Sequence, residues 1–276
     1  MIGEKRQKED YKTPEYVKQN YFILDKRKLN IIYVNKKEDN RMKIIDDLIE
    51  DLNDNDQEIR DVHVGYSWIG VLSRNCGISK NFGSLHHYKI KDLGRLKEKT
   101  AIDLAGYAKS WNMIEAGIGV AAINSLIDVR GKKGINLLDL LLDKGDGKKI
   151  AMIGHFPRID ELRQKADELW VMEKNPIEGD LPDTASEYLV PKADILVITS
   201  STIINKSVER LLELSNGYTI LLGPSTPMSP VLFDYGVDLL AGVKVMDEKL
   251  MMEMIAQGCG MVRQFEDAIE FMVMER

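Results

Sequence analysis

The chain has 276 residues, of which 44% are hydrophobic and 30% are charged, with a formal net charge of −6 and a pI near 5.4. This composition is typical of a soluble globular protein with one large domain or two modest ones. The acidic balance gives no electrostatic reason to expect a nucleic-acid partner, because nucleic acid binds a basic surface.

Cysteine usage and hydropathy predict the cellular compartment. Cys76 and Cys259 lie far apart and form no CxxC pair, so they indicate neither a disulfide framework nor a zinc finger. Such sparse use is typical of a reducing compartment. The N-terminal segment lacks the apolar core of a signal peptide, and no run of about 18 apolar residues occurs. We therefore expect a cytoplasmic protein with no membrane partner, and a homo-oligomer stays open.

Residues 1–39 are expected to be an N-terminal extension that contains a hairpin. Short apolar runs at residues 21–24 and 31–34 flank a polar segment, which is the pattern of two strands joined by a turn. Residues 41–52 then carry Met, Ile and Leu at helical spacing, with acidic residues between them, and predict a helix.

A β-rich stretch and a predicted loop follow. Residues 62–72 favour strand structure, in which Gly65 and Gly70 indicate bulges or close approach of another backbone. Residues 73–84, SRNCGISKNFGS, contain the Gly, Ser and Asn that are typical of turns. We predict a loop there that could reach a binding site.

Residues 100–128 are dense in Ala and Gly and predict helical structure that begins at Thr100, a favourable N-cap. Helix interiors normally avoid glycine, so Gly117 and Gly119 indicate close packing or a helix break. Strands followed by helices predict that residues 40–128 form an α+β domain.

The remainder of the chain predicts a connector and an α/β domain. Residues 129–147 contain Gly, Lys and Asp around one short helix, as in interdomain connectors. Residues 148–276 alternate apolar runs with helical segments, which predicts a doubly wound α/β sheet. The predicted strands cover residues 150–153, 169–172, 193–199, 218–222 and 237–245, with a last short strand near Met261. The predicted helices cover residues 158–167, 203–214, 227–235 and 248–256.

Four consecutive predicted strands end in polar, turn-forming residues. These ends carry His155, Glu173, Thr199 with Thr202, and Ser225 with Thr226. The carboxyl ends of parallel strands meet at one edge of a sheet, where ligands bind. Capping of the next helix explains any single loop as well. The four loops together favour a binding crevice.

The first of these turns is not a dinucleotide-binding fingerprint. Phe156 and Ile159 stand where GxGxxG requires its second and third glycines. Glu173 does follow Gly154 by 19 residues, where an acidic side chain could hold a ribose hydroxyl. An NAD dehydrogenase is therefore not expected, whereas a nucleoside-containing ligand stays open.

His155 stands on the sharp turn between a strand and a helix, where it could be a metal ligand, a general base or a hydrogen-bonded turn residue. Glu178 and Asp180 flank Gly179 on the next loop, so carboxylates and an imidazole could converge. Such donors suit Zn, Fe, Ni or Mn. Their spacing alone identifies no metal.

Lys109, Asn112 and Glu115 recur every three residues and would share one helix face. Asn124 lies nine residues beyond Glu115 and points about half a circle away. These residues line one pocket only if the helix breaks near its glycines, or if Asn124 faces a different partner. A polar solvent face explains the spacing equally well.

Five segments of the sequence carry a resemblance to a known family. They are KSWNMIEAGIGVAAINS, GHFPRID, EKNPIEGDLPDTASEYLVPKAD, ITSSTIINKS and GPSTPMSPVLFDYGVDLLAGVKV. In these segments the chain resembles a family of prokaryotic proteins labelled as a heavy-metal chelation domain, over roughly residues 40–265. The resemblance implies an enolase N-terminal-like domain joined to a C-terminal Rossmann-like domain. It implies no enolase chemistry, because the barrel that carries the metal carboxylates of enolases is lacking.

The resemblance also implies a site in a cleft between the two domains. The enolase-like part would supply Lys109, Asn112, Glu115 and Asn124, and the Rossmann-like part would supply His155, Glu173, Glu178, Asp180, Thr199, Thr202, Ser225 and Thr226. Our leading hypothesis is a protein that binds a metal ion or a metal-carrying small molecule there, with a transition metal on His155, Glu178 and Asp180. The alternatives are an enzyme that uses S-adenosylmethionine or a nucleotide, and a structural or adaptor protein.

Overall fold

The computed structural model describes residues 22–24, 31–33, 42–83, 89–135 and 137–276. The chain forms two compact units, residues 1–41 and 42–276. In the first unit, strand β1 (Phe22–Leu24) pairs antiparallel with strand β2 (Ile31–Tyr33). This pairing confirms the two predicted hairpin strands, and the rest of the predicted extension lies outside the described residues.

The second unit contains the elements that position the site. Its helices are α1 (Lys43–Leu52), α2 (Ala101–Ala105), α3 (Met113–Leu126), α4 (Leu137–Lys144), α5 (Ile159–Lys165), α6 (Ser186–Leu189), α7 (Ser201–Ile204), α8 (Val208–Leu214) and α9 (Glu248–Ala256). Its strands are β3 (Asp61–Val64), β4 (Trp68–Leu72), β5 (Cys76–Lys80), β6 (Lys132–Lys133), β7 (Lys149–Ile153), β8 (Glu168–Glu173), β9 (Leu181–Pro182), β10 (Ile195–Thr199), β11 (Tyr218–Leu222), β12 (Leu239–Val245) and β13 (Ile269–Glu275). Within the described residues, no helix has the length and apolar composition needed to cross a membrane.

Strands β3, β4 and β5 form a small antiparallel sheet in that order. Ile69 and Val71 of β4 belong to the same apolar core as α3, whereas Trp68 packs in the core that contains α9. Because successive side chains of a strand point to opposite faces, the sheet lies between these two helices.

Strand β5 corrects the prediction of a loop at residues 73–84. A Cβ on Gly77 would clash with the carbonyl oxygen of Ala121 in α3. Ser79 Oγ donates to the carbonyl oxygen of Gly117 at 2.7 Å. The small residues that suggest a turn are therefore needed for close packing of a strand on a helix, and this tertiary contact outweighs their turn preference.

Helix α3 runs from Met113 to Leu126 without interruption. A Cβ on Gly117 would lie 2.7 Å from the side chain of Ile69, and one on Gly119 would clash with the backbone of Ala108. Close packing at these glycines is therefore confirmed, and the alternative of a helix break is wrong.

Two further predictions in this part of the chain are confirmed. Thr100 caps α2, because its Oγ1 accepts a hydrogen bond from the amide of Asp103 at 3.2 Å. Gly65 marks a close approach of another backbone, since a Cβ there would lie 2.3 Å from the carbonyl oxygen of Ile255 in α9, whereas a Cβ on Gly70 would meet only the side chains of Met252 and Ile255.

The large sheet has the order β6-β13-β12-β11-β10-β7-β8-β9 within the part of the chain that the structure describes. Neighbours from β12 to β9 pair in parallel, and β13 and β6 add antiparallel strands at one edge. From the middle of the sheet, β7, β8 and β9 follow one another toward one edge, and β10, β11 and β12 follow one another toward the opposite edge. The strand order therefore reverses between β7 and β10, and ligands bind beyond the strands at such a reversal.

Helices cover both faces of the large sheet. Ala151 and Ile153 of β7 pack in the core that contains α7 and α8. Ile150 and Met152, which point to the opposite face, pack in the core that contains α4 and α5. The predicted parallel sheet with helices on its faces is therefore present.

The C-terminal part differs from the prediction in three places. Met261 precedes a short 3-10 turn (Val262–Gln264), and the last strand is β13 instead. The helix predicted at residues 203–214 is two helices, α7 and α8, separated where Lys206 adopts a φ of 66°. The helix predicted before β12 is a 3-10 helix (Pro230–Tyr235).

Candidate functional site

The ends of β7 and β10 lie close together where the strand order reverses. Gly154 follows β7 with a φ of +104°, and a Cβ on it would lie 3.1 Å from Cβ of Thr199 at the end of β10. Glycine adopts this backbone conformation without strain and leaves room for the neighbour. The turn after β7 therefore folds tightly over the end of the adjacent strand.

A cleft of about 1610 Å³ opens along these strand ends. Among the residues with predicted site roles, it is lined by His155, Glu173, Thr199, Thr202 and Ser225. Its other side includes Trp68, Lys80, Phe82, Met261 and Arg263. Typical small-molecule pockets measure roughly 300–1,000 Å³, so this cleft has room for a larger ligand.

His155 and Asp180 form a hydrogen-bonded pair at the cleft. Nδ1 of His155 lies 3.3 Å from Oδ1 of Asp180, and the Asp180 side chain is 3% exposed against 43% for His155. Oδ2 of Asp180 also accepts a hydrogen bond from the amide of Ile177 at 3.2 Å. A carboxylate on one ring nitrogen fixes the imidazole and leaves Nε2 as the nitrogen available to a ligand.

Glu173 ends β8 and fastens the turn that carries His155. Its Oε1 accepts a hydrogen bond from the His155 amide at 2.9 Å, and its Oε2 accepts one from the Lys174 amide at 3.1 Å. The carboxylate therefore orients the backbone of the two strand ends.

Thr199 and Thr202 lie in the turn that begins α7. Oγ1 of Thr202 donates to the carbonyl oxygen of Thr199 at 2.7 Å, which closes this turn. Oγ1 of Thr199 lies 3.0 Å from Oγ of Ser201. These hydroxyls therefore order the end of β10. Thr199, Ser201 and Thr202 all line the cleft.

Ser225 and Thr226 follow β11 and are both buried. Oγ of Ser225 accepts a hydrogen bond from the amide of Lys80 at 2.8 Å, so the fourth strand end is tied to β5. Oγ1 of Thr226 donates to the carbonyl oxygens of Gly223 and Ala241. Of the two, Ser225 lines the cleft and Thr226 packs behind it.

Asn124 and the residues at the start of α3 contact different partners. This is one of the two alternatives that the helical spacing leaves open. Its Nδ2 donates to the carbonyl oxygens of Ile78 and Ser225 at 2.9 and 3.1 Å. Its Oδ1 is buried and accepts no hydrogen bond from the described residues. The side chain borders a separate small cavity of about 30 Å³, together with Thr226.

Lys109, Asn112 and Glu115 do not share a helix face, because α3 begins only after Asn112. The ammonium of Lys109 contacts the Asp46 carboxylate at 2.8 Å. Asn112 caps α3, and Glu115 accepts a hydrogen bond from the hydroxyl of Ser110 at 2.6 Å. None of the three predicted residues lines the cleft, and a ligand-binding role for them stays a prediction.

The predicted metal set is brought together only in part. His155 and Asp180 are in contact, whereas Glu178 is exposed on the loop that joins β8 to β9 and also carries Asp180. Among the residues that the structure describes, no three His, Cys, Asp or Glu side chains form a group that could hold a metal ion. The assignment of all three residues to one metal stays a prediction.

Lys80 lines the cleft but is not among the predicted site residues. Its Nζ lies 4.8 Å from the centroid of the Trp68 ring. Burial lowers the pKa of Lys80, and the nearby Cys259 thiol opposes that shift. The sequence does contain one indication of this position, because residues 73–84 are predicted to be able to reach a binding site. Lys80 lies in this segment, at the end of β5, and lines the cleft.

Family models match most of the second unit. A model described as "Putative heavy-metal chelation", DUF364, matches residues 136–275, which is half of the chain. The chain belongs to the DUF364 family. A second model with the same description, DUF4213, matches residues 45–127. The two matches together cover the small antiparallel sheet and most of the large parallel one.

A curated relative aligns with just over half of the chain. The chain is 28% identical over 175 residues to the uncharacterized protein MJ0500 of Methanocaldococcus jannaschii. The alignment covers 58% of this chain and 66% of that relative, so the chain spans just under two thirds of the relative's length.

Solved DUF364 structures have the same fold. A family member of unknown function from Desulfitobacterium hafniense DCB-2 superposes with a TM-score of 0.77 at 28% identity, covering 85% of this chain and 98% of the other. A member from Pyrococcus horikoshii, PH1506, superposes with a TM-score of 0.72 at 24% identity, covering 85% and 99%. At that identity the second likeness concerns the fold alone.

Proposed function

We propose that the cleft binds a small organic molecule that carries a heavy-metal ion, and that His155 supplies one protein ligand to this metal. The observation that carries the proposal is the His155–Asp180 pair beside a cleft of about 1610 Å³. The description of both family models supports the metal part of the proposal. The metal is cargo in this account, together with the molecule that chelates it.

A bare ion fits the described side chains poorly. Protein metal sites commonly use three or four side-chain ligands, and no group of three His, Cys, Asp or Glu occurs among the described residues. A chelating molecule that supplies most of the ligands needs only one further donor from the protein. The large cleft leaves room for such a molecule around the metal.

Asp180 and Glu173 would prepare His155 for this role. Asp180 at Nδ1 favours the tautomer that carries its proton there, so that Nε2 presents a lone pair to the metal. Glu173 accepts the His155 amide and holds the turn in place. Both carboxylates act through the histidine and need not touch the metal.

We also infer that residues 40–128 are an enolase N-terminal-like domain and that residues 148–276 are a Rossmann-like domain, with residues 129–147 as their connector. The antiparallel β3–β5 sheet packed on α3 supports the first assignment. The parallel sheet whose order reverses at β7 and β10 supports the second. In this arrangement the first domain covers the strand ends of the second.

A cofactor that contains a nucleoside has less support. The Glu173 carboxylate, which would hold a ribose hydroxyl, already accepts two backbone amides. Phe156 stands where a phosphate-binding glycine is required. This alternative is therefore tested beside the main proposal.

The proposal is tested on full-length protein purified anaerobically without an affinity tag. We expect about one equivalent of a transition metal by elemental analysis and a co-purifying organic chelator in the mass spectrum of a denatured extract. His155→Ala should lose most of the metal, whereas Glu178→Ala, changed on the neighbouring loop, should retain it. A metal-free protein whose melting temperature rises with S-adenosylmethionine or nucleotides, and not with metal, would overturn the proposal.

A further inference from the structure

The cleft contains a half-buried ammonium group that no carboxylate neutralises. Lys80 lines the cleft at the end of β5, and among the residues that the structure describes it forms no ion pair. Burial lowers the pKa of this amine. The neighbouring Cys259 thiol supplies no negative charge at neutral pH, because burial raises the pKa of the thiol. A partly desolvated cation without a counter-ion favours binding of an anion.

A fixed aromatic ring holds this ammonium in place. Nζ of Lys80 lies 4.8 Å from the centroid of the Trp68 ring. This ring is buried, its Nε1 donates to the carbonyl oxygen of Gly260 at 3.0 Å, and its centroid lies 5.2 Å from that of Phe265 in an edge-to-face contact. The ring attracts the cation but brings no net negative charge. The positive charge of Lys80 is therefore not compensated.

A second cation follows on the same wall of the cleft. Gly260, which contacts Trp68, leads into a 3-10 turn, and Oε1 of Gln264 in that turn accepts the Gly260 amide at 2.7 Å. Arg263 belongs to this turn, is exposed and lines the cleft. Within the described part of the chain it forms no ion pair, whereas Arg158, for example, contacts a glutamate. An ammonium and a guanidinium on one wall are both available to a ligand.

The carboxylates that line the cleft leave both cations unpaired. Glu173 accepts two backbone amides, and Glu270 contacts the ammonium of Lys133 at 3.4 Å. Asp183 and Glu266 also line the cleft and form no ion pair with any described residue. An anion that binds to the two cations therefore displaces no internal partner.

The position of Lys80 is fixed relative to that of His155. The amide of Lys80 donates to Oγ of Ser225, just beyond the end of β11. His155 follows β7, and β10 lies between β7 and β11 in the sheet. The two strand ends are therefore two interstrand spacings apart, about 10 Å. One ligand of moderate size spans this distance.

We propose that the ligand of the cleft is an anionic chelate, and that Lys80 and Arg263 bind its oxyanion group, a carboxylate or a phosphate, while its metal faces His155. The inference rests on the proposed function and names the charge of the ligand for the same site. A guanidinium forms paired hydrogen bonds with an oxyanion, and an ammonium adds a compact positive charge. The two cations together would select anionic chelates over neutral and cationic ones.

Two nickel complexes of opposite charge test the proposal on full-length protein. Nitrilotriacetate and tris(2-aminoethyl)amine leave the same number of open positions on the metal, but the first complex is an anion with carboxylates and the second is a cation. The affinity of each complex for free imidazole corrects for the strength of the nickel–imidazole bond. We expect the wild type to bind the anion at least about tenfold more tightly after this correction. Equal corrected affinities, or a preference for the cation, would overturn the proposal.

Variants assign this preference to the two cations. Lys80→Met keeps an unbranched side chain beside Trp68 and should weaken binding of nickel nitrilotriacetate about tenfold without weakening that of the amine complex. Arg263→Met should act in the same way. The matched control is Lys192→Met, because Lys192 is exposed and precedes β10, at the opposite edge of the sheet from the cleft. It should change neither affinity. Equal losses for both complexes in Lys80→Met and Arg263→Met would contradict a role that depends on charge.

Metal-free oxyanions keep this inference distinct from the proposed function. Calorimetric titration with citrate and with inorganic phosphate shows which oxyanion the site prefers, and at least one of them should bind. His155→Ala should bind it as well as the wild type does, whereas Lys80→Met should bind it about tenfold more weakly. Binding of neither anion would overturn the inference.

The two sets of titrations fail in different ways. Nickel binding that depends on His155 but not on the charge of the complex would support the proposed function and overturn the oxyanion site. Oxyanion binding that depends on Lys80, without nickel binding at His155, would contradict the proposed function and retain the oxyanion site.

Discussion

Nδ1 of His155 lies 3.3 Å from Oδ1 of Asp180, a residue 25 positions further along the chain. The pair joins the turn after β7 to the loop after β8. The carboxylate is buried and the imidazole is open to the cleft. Asp180 can therefore orient the imidazole of His155, and Nε2 of this imidazole is open to a ligand in the cleft.

Asp180→Asn should weaken binding of the metal-carrying molecule by about 10- to 100-fold, the usual effect of removing a carboxylate behind a metal-binding histidine. The asparagine retains an oxygen that can accept the Ile177 amide, so we expect the fold to persist. Metal content per chain and the melting temperature measure the two effects. Glu178→Gln is the control on the same loop. Equal loss of metal in both variants would contradict the special role of Asp180.

Gly154→Ala should lower the free energy of unfolding by about 1–3 kcal/mol, since the new Cβ meets Thr199 and the backbone has a φ of +104°. Urea denaturation gives the value. Gly258→Ala is the matched control, because Gly258 also has a positive φ of +83° but an open space around its missing Cβ. The loss of unfolding free energy in Gly154→Ala beyond that in Gly258→Ala measures the cost of the close approach between the ends of β7 and β10. Equal losses would show that this contact contributes nothing.

Asn124→Ala should destabilise the protein by about 1–2 kcal/mol, because hydrogen bonds to the carbonyl oxygens of Ile78 and Ser225 are lost. Removal of Oδ1, which accepts no hydrogen bond from the described residues, offsets part of this loss. Asn216→Ala, which removes one exposed 3.3 Å bond, should change stability by less than about 0.5 kcal/mol. Urea denaturation compares the variants, and similar values would contradict the account of Asn124 as a bridge between β5 and the turn after β11.

Lys206 should make stability depend on pH in alkaline solution. Burial lowers the pKa of this amine from 10.5 to about 8 in the folded protein. Between these values the unfolded chain holds a proton that the folded chain has released, so the free energy of unfolding rises with pH. Lys206→Met should remove this rise. Urea denaturation from pH 7.5 to 10.5 compares the two proteins, and parallel pH profiles would contradict the assignment.

Much of the large sheet follows from local sequence patterns. Apolar runs that are buried on both faces predict β7, β8, β10, β11 and β12 to within a few residues, because such strands need apolar side chains at every position. Strand β13 was missed. It is also buried on both faces, because Met272 packs in the core that contains α7 and α8 and Val273 packs in the core that contains α4 and α5, but Glu270 and Glu275 interrupt its apolar run.

The small sheet and the candidate site were harder to predict, because their residues act through distant partners. Gly77 and Ser79 resemble turn residues until α3 is packed against them. Apart from the predicted reach of residues 73–84, nothing near Lys80 in the sequence indicates its role, since Trp68 and Ser225 define its surroundings. Because ligands bind beyond the carboxyl ends of parallel strands, the sequence does predict His155 near a ligand site. The contact of His155 with Asp180 depends on the path of the loop after β8, which sequence spacing does not determine.

The most direct test of the central claim is a crystal structure of protein loaded during anaerobic expression, with anomalous data collected at the absorption edge of the metal found by elemental analysis. The account predicts an anomalous peak about 2.0–2.1 Å from Nε2 of His155, surrounded by electron density for an organic chelator in the cleft. A peak whose ligands are protein side chains alone, or a cleft occupied by a metal-free molecule, would contradict it.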